Sequence, residues 1–411
     1  MKYVIVGASA AGINAITTIR DLDPGAEIVL VSTDEHIYSR CILHHYIEGK
    51  RDIPQLSFTD AHFAQTYQVQ WLKNTSLQQV DTTTKTLTLS DGQLLSYDKL
   101  LLATGASTFL PPIEGLTTAR NVTGLRNLDD ATFIKDSLPT VQDVVVIGAG
   151  LVGIDAISGM LHHDKRLTLV EASPHMLSMQ LDSTASQRYQ DAFAQAGVRQ
   201  YYATTVTQVI SDDAGAVSGV LLSTGEQIPC QLLIVAAGVR ANVGFLANSP
   251  IACDKFGLLF NALGQTNVAD VYGAGDISGR SPIWPSAVKE GMIAGANMVG
   301  VRRELTDFFA SKSTMNFLDI ATLSLGTPNK PDDTYEEVIQ VQGDSYKKII
   351  HKEGIIVGAI IQGDLAYAGV LTQLIKEKID ISRVKKPLFS IDYADFFNLT
   401  DDLQFRYDSS C

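Results

Sequence analysis

Cys41 directly follows Arg40 in the run His36-Ile37-Tyr38-Ser39-Arg40-Cys41-Ile42-Leu43-His44-His45. Residues 41 to 48 can form a helix, and a cysteine at a helix start beside a cation is favoured as thiolate, the nucleophilic form of sulfur. Two other segments offer a different chemistry. Val4-Ile5-Val6-Gly7-Ala8-Ser9-Ala10-Ala11-Gly12 and Val144-Val145-Val146-Ile147-Gly148-Ala149-Gly150-Leu151-Val152-Gly153 each join an apolar β-branched run to a helical pattern through a glycine-rich turn. In that context glycines let backbone N–H groups approach a pyrophosphate at a helix N-terminus. Gly7, Ser9, Ala10 and Gly12 therefore form one candidate dinucleotide loop, and Gly148, Gly150, Leu151, Val152 and Gly153 a second. Glu171 ends the strand that follows the second loop, where a carboxylate accepts hydrogen bonds from ribose hydroxyls and repels a 2′-phosphate.

The elements that position these residues repeat. A strand, a loop, a helix through Arg20 and a strand at Glu27-Val31 lead to a closing strand and turn, Leu100-Leu101-Leu102-Ala103-Thr104-Gly105, and Pro111-Pro112 marks a crossover. The second unit ends in Leu232-Leu233-Ile234-Val235-Ala236-Ala237-Gly238, an echo of the first ending. Next, Val271-Tyr272-Gly273-Ala274-Gly275-Asp276 delivers an acid at a glycine turn, and Trp284-Pro285-Ser286-Ala287 opens a helix. From about residue 314 the texture changes to alternating strands, at Lys347-Ile350 and Gly354-Ile361, and a helix around Leu371-Lys376.

The net charge of −13 argues against nucleic acid as a partner, and basic pairs such as Lys50-Arg51 and Arg302-Arg303 read as solvated surface. No apolar stretch approaches the ~20 residues that span a bilayer. Strand residues begin at Tyr3, so neither a signal peptide nor a membrane association is expected, and the location expected is cytoplasmic. The four cysteines, Cys41, Cys230, Cys253 and Cys411, include no CxxC pair, so no metal site is expected. Cys230 and Cys253 read as inert; Cys411, on a polar tail, reads as an incidental terminus rather than a resolving thiol for Cys41.

In this order, the two loops, the Ala103-Thr104-Gly105 turn, the Gly238-Val239-Arg240-Ala241-Asn242 turn and Gly273-Ala274-Gly275-Asp276 resemble the flavoprotein pyridine nucleotide-disulfide oxidoreductase family over about residues 1 to 312. The resemblance implies an α/β fold of two Rossmann-like domains, for FAD and NAD, plus a small α+β C-terminal domain. It divides the chain into an FAD domain in two parts, 1–112 and 241–312, an inserted NAD domain, 113–240, and a C-terminal domain, 313–411. FAD is expected on the first loop and NADH, less readily NADPH, on the second. Asp276 would bond the ribityl chain, with Leu77, Ala103, Thr104, Gly105, Gly238, Gly275 and Ala287 among the cofactor-binding positions. Ser32 stands where a ribose-binding acid is usual, and Asp34 or Glu35 would serve instead. Asp155 and Ala241 replace a common glutamate and proline, and both read as neutral.

Tyr346-Lys347-Lys348-Ile349 and Gly358-Ala359-Ile360-Ile361-Gln362-Gly363-Asp364 resemble the C-terminal domain of NADH:rubredoxin reductases and of the flavin half of nitrite reductases. That domain is either a plain lid or dimerisation unit or an acceptor-docking one. Cys41 matches the redox cysteine of the family's single-cysteine branch, which includes coenzyme A-disulfide reductases and NADH oxidases and peroxidases. The bland alternative is a small core residue. His44 and His45, at helical spacing from Cys41, read as surface histidines. Ala10 stands where peroxidases and many oxidases of the family carry a histidine, which weakens oxygen or peroxide as acceptor. The leading expectation is an FAD-dependent enzyme taking hydride from NADH and reducing a disulfide or related sulfur acceptor through Cys41 and Arg40. The rivals are electron transfer to a protein such as rubredoxin, an NADH oxidase, or a slow flavin redox sensor. The acceptor, small molecule or protein, would be selected by the small domain and by a homodimer interface.

Overall fold

The computed structural model describes residues 1–280, 282–306, 312–399 and 401–407. Its eight α-helices, among the described residues, are α1 (Ala10–Leu22), α2 (Leu43–Ile47), α3 (Phe63–Thr66), α4 (Leu128–Ser137), α5 (Leu151–Met160), α6 (Ser183–Gln195), α7 (Trp284–Met298) and α8 (Ala368–Lys376). Cys411 lies outside the described residues.

Two parallel five-stranded sheets dominate the chain. In the first, Lys2–Val6 lies between Glu27–Val31 and Lys99–Leu102, with Val271–Gly273 and Val69–Leu72 at the edges. The second has the same plan: Asp143–Ile147 lies between Arg166–Val170 and Leu232–Val235, flanked by Arg199–Tyr201 and Val122–Thr123. The central strands, with buried patterns such as Val144, Val145 and Val146, lie inside the sheet and are covered on both faces, as continuous β-branched runs require. Because parallel strands need crossovers, each first strand runs into a helix that packs back on the sheet, and the glycine loop is the bend between them.

The echoed endings do one packing job twice. Gly7 has φ of 121°, and a Cβ there would lie 2.1 Å from the Ala103 carbonyl oxygen; Gly148 has φ of 101°, and a Cβ there would lie 2.4 Å from the Ala236 oxygen. Each turn after the closing strand thus presses its backbone against a loop that only glycine can occupy.

Residues 312 to 362 form an antiparallel five-stranded sheet, ordered Lys312–Phe317, Ile320–Gly326, Ile355–Gln362, Ser345–Lys352 and Glu336–Gln342, with α8 packed on it. This sheet is fastened to α6. Asp182, the N-cap that accepts from the Ala185 N–H at 2.9 Å, also accepts from the Tyr346 hydroxyl at 2.5 Å and pairs with Lys348 at 3.0 Å. Lys348 and Asp182 are both buried, so each charge needs the other. Met315, Tyr346 and Ile360 join the core that holds Tyr189 and Phe193 of α6.

Candidate functional site

A cavity of about 880 Å³ opens at the C-terminal end of the first sheet, where parallel α/β sheets place their ligands. Gly7, Ser9, Ala10, Asp34, Arg40, Cys41, Leu77, Ala103, Thr104, Gly105, Gly275, Asp276 and Ala287 all line it. These residues come from the ends of separate strands and from the α7 N-terminus, and the sheet gathers them. Gly12 lies beneath, where a Cβ would come 1.9 Å from the Gly7 oxygen.

The residues fit a dinucleotide. Ser9 caps α1 without a side-chain hydrogen bond, and no acid occupies the first turn, so the N–H groups at that helix end are uncapped by side chains and face the cavity. Gly150 caps α5 in the same bare manner, and a Cβ on it would meet nothing within 4 Å, leaving space above the second loop. That loop stands apart from the first cavity. Glu171 reaches it: one carboxylate oxygen accepts from the Ala149 N–H at 2.5 Å and the other from the Ser173 N–H at 2.6 Å. Gly238, with φ of 105°, ends the strand that passes into the pairing of Val239–Ala241 with Ala106–Thr108.

At the far end of the second strand, Ser32 is buried and takes a structural part, donating to the Asp34 carbonyl at 2.5 Å and accepting from the Trp71 indole at 2.9 Å. Asp34 lines the cavity, but its carboxylate is held by the Tyr38 hydroxyl and by Arg40, each at 2.8 Å. Glu35 is exposed beside His36 and Asn74 and does not line the cavity.

Around Cys41 the structure corrects three expectations. The cysteine sits in a 3-10 turn, Arg40–Ile42, and α2 begins only at Leu43 and runs five residues, so no helix starts at Cys41. The Arg40 guanidinium is turned onto Asp34 and the Arg126 carbonyl. The cation acting on the thiol is Arg126 instead, together with a hydrogen bond from Ser39. Both favour thiolate, yet burial, with Asp155 and Asp276 opposing as well, holds the Cys41 thiol above its ordinary value. Its surface opens into the cavity, so it is reachable from there. His44 is not a surface histidine: burial brings its imidazole down to about 4. Cys230 is buried, whereas Cys253 is exposed.

Sequence reasoning missed Arg126. Its guanidinium pairs with Asp276 and donates to the Ala106 carbonyl at 3.0 Å, and its backbone is held by Asp130. Asn127 and Asp130 form the capping box that starts α4, a pattern visible in the sequence, but nothing local shows that the residue before it would reach an acid so distant in the chain. Asn242 was likewise seen only as part of a turn; it ties Thr104 to Ser107, accepting from the Thr104 hydroxyl through its carbonyl at 2.8 Å and from the Ser107 hydroxyl at 2.8 Å. Glu290 lies under the Gly275 turn, accepting its N–H at 2.7 Å, and burial raises its carboxyl to about 7.

The family model for pyridine nucleotide-disulphide oxidoreductases matches residues 1–291, and that for the rubredoxin NAD+ reductase C-terminal domain matches residues 312–379. The epsilon subunit of NADH-dependent phenylglyoxylate dehydrogenase from Aromatoleum evansii is 29% identical over 398 residues, 93% of each chain. The nitrite reductase [NAD(P)H] of Bacillus subtilis is 26% identical over 94% of this chain, which spans only 48% of that protein. A NAD-dependent persulfide reductase from A. fulgidus has the same fold, with a TM-score of 0.85 at 23% identity over 93% of this chain and 78% of its own. With two dinucleotide loops on two parallel sheets, and a family match over residues 1–291, the chain belongs to the pyridine nucleotide-disulphide oxidoreductase family and is an FAD-dependent NAD(P)H oxidoreductase.

Proposed function

We propose that this enzyme takes hydride from NADH and reduces a disulfide or related sulfur acceptor through Cys41. The observation that carries this reading is that Cys41 opens into the same cavity as the first dinucleotide loop and Asp276. FAD, held there, would supply the two-electron carrier between nicotinamide and the acceptor. The chain's own residues do the rest. Gly7, Ser9, Ala10 and the α1 N-terminus would hold the pyrophosphate, Asp276 the ribityl chain, and Glu171 the ribose of NADH. Arg126 steadies Asp276 and favours ionisation of Cys41, while Arg40 fixes Asp34 and the turn that carries the cysteine. This reading divides the chain into FAD parts 1–112 and 241–312, an NAD domain 113–240 and a C-terminal domain 313–411. It sets the enzyme in the cytoplasm, where free thiols persist, as a homodimer.

Among the described residues no helix is long and apolar enough to cross a membrane. A second reading, electron transfer to a protein such as rubredoxin with Cys41 a bystander, is supported by the C-terminal domain match over residues 312–379. Stopped-flow reoxidation of the NADH-reduced enzyme by disulfides, persulfides, peroxide, oxygen and rubredoxin separates the readings: the sulfur compounds are expected to be fastest by orders of magnitude. Rubredoxin as the fastest acceptor would reverse the order.

Two variants test the nucleotide assignments. Asp276→Ala is expected to weaken FAD binding, because it removes a charge-assisted hydrogen bond worth about 1.5–3 kcal/mol and leaves Arg126 without its carboxylate. Flavin retention on dialysis and direct titration with FAD measure it, and unchanged affinity would remove Asp276 from the site. Glu171→Gln is expected to narrow the preference of kcat/KM for NADH over NADPH by removing the charge that repels a 2′-phosphate. A preference identical to the parent's would show that Glu171 serves only the loop backbone.

A further inference from the structure

Asp276 is presented to the cavity by a short turn whose support comes from behind it. Gly275, buried and with φ of 81°, opens the 3-10 turn Gly275–Ser278, and Gly279, with φ of 65°, closes it, its N–H donating to the Asp276 carbonyl at 3.0 Å. The turn is wedged between two helices: a Cβ on Gly275 would lie 3.1 Å from the Ala11 Cβ of α1 and 3.5 Å from the Ala287 Cβ of α7. Its first N–H is received by a side chain, Glu290 Oε2 of α7, at 2.7 Å. The glycine after Glu290 fixes where that carboxyl stands. A Cβ on Gly291 would lie 2.1 Å from the Ala11 oxygen, and one on Gly295, a turn further along, 2.7 Å from the Ala15 oxygen, so α7 lies backbone to backbone on α1. Through α7, Glu290 ties the Asp276 turn to the helix opened by the first dinucleotide loop.

We propose that Glu290 is a positioning residue for FAD: its carboxyl accepts the Gly275 N–H and so fixes the turn that aims Asp276 at the ribityl chain. Glu290 does not line the cavity, so it acts through the backbone beside Asp276. Asp276 is restrained at two different places. Arg126, which lines the cavity, pairs with its carboxylate, and Glu290 holds the peptide N–H one residue before it. A buried N–H left without an acceptor is costly, so a side chain at 290 that offers no oxygen makes the turn shift or admit water. Either way the Asp276 carboxylate loses its fixed place, and a ligand binds less tightly to a site that must be ordered as it binds. Burial raises the Glu290 carboxyl to about 7, but both of its forms carry an oxygen that can accept, and so does the amide of glutamine. What the turn needs is an acceptor, not a charge.

This role rests on Asp276 binding the ribityl chain, as read above. The flavin-stripped full chain is titrated with FAD, and with ADP as a competitor that presents a pyrophosphate but no ribityl chain. Glu290→Met, close to glutamate in volume but without an oxygen, is expected to weaken FAD binding about tenfold, the loss of one hydrogen bond to a carboxyl, and to leave ADP within about twofold. Glu290→Gln is expected to bind FAD within about twofold of the parent. In an Asp276→Ala background, Glu290→Met is expected to add little, because both changes act on one contact. If Glu290→Met does not fold, Glu290→Ala, which only shortens the side chain, takes its place with the same expectation. Undiminished FAD affinity in Glu290→Met, equal losses of FAD and ADP, a Glu290→Gln protein as weak as Glu290→Met, or the same loss added on top of that of Asp276→Ala would each overturn the proposal. An Asp276→Ala protein that binds FAD as the parent does would instead remove Asp276 from the site, and the role of Glu290 with it.

Discussion

Cys41→Ser is expected to lower disulfide reduction by about three powers of ten or more while NADH still bleaches the flavin absorbance at the parent rate. Serine fills nearly the same volume in the Arg40–Ile42 turn, so the fold has no reason to change. What changes is the nucleophile: thiolate is the reactive form of sulfur, and a hydroxyl is not ionised near neutrality. Because burial, Asp155 and Asp276 hold the Cys41 thiol above its ordinary value, disulfide turnover in the parent is expected to rise with pH across the neutral range, as the thiolate fraction grows. Single-turnover mixing with NADH, followed by a disulfide, separates the two half-reactions. Disulfide reduction at the parent rate in Cys41→Ser would make the cysteine structural and move protein electron transfer to first place.

Gly12→Ala is expected to cost about 3 kcal/mol or more and to yield protein that holds no flavin. The added methyl would sit 1.9 Å from the Gly7 carbonyl oxygen and 3.1 Å from a methyl of Ile5, and the first of these is backbone, which cannot swing aside. The loop must move, and with it the N–H groups that face the cavity. Gly150→Ala is the control, since nothing lies within 4 Å of its added methyl and its φ of −77° suits any residue; its stability is expected to stay within about 0.5 kcal/mol of the parent. Thermal unfolding and flavin content measure both. A Gly12→Ala protein that is yellow and melts with the parent would mean that the first loop tolerates a side chain at its tightest contact.

The sequence was informative wherever the signal is local. Strand runs such as Val144-Val145-Val146-Ile147, the two glycine turns after them and the acid at Asp276 are each set by a few adjacent residues, and hydrophobic period and backbone sterics suffice to read them. The doubled α/β plan followed, because a strand, a glycine turn and a helix in that order have few ways to pack. The same local reading failed at residues 41 to 48, where helical composition did not decide the outcome: the turn at Arg40–Ile42 is held by Arg40 reaching Asp34 and Arg126, and the short helix after it is shaped by packing on α4 and α5.

By itself, then, the sequence determined two nucleotide loops, their sheets, and a cysteine in the first nucleotide unit. Only the tertiary structure decided which charge acts on which group. Arg126 was paired with Asp276, Arg40 was turned away from the thiol, and Asp155 was brought against His44. Those pairings join residues far apart in the chain, and they depend on how closely helices approach, as Gly159 permits between α5 and α2. Electrostatic effects fall off with distance and grow with burial, so the state of Cys41 is a property of the packed molecule and of no segment of the chain.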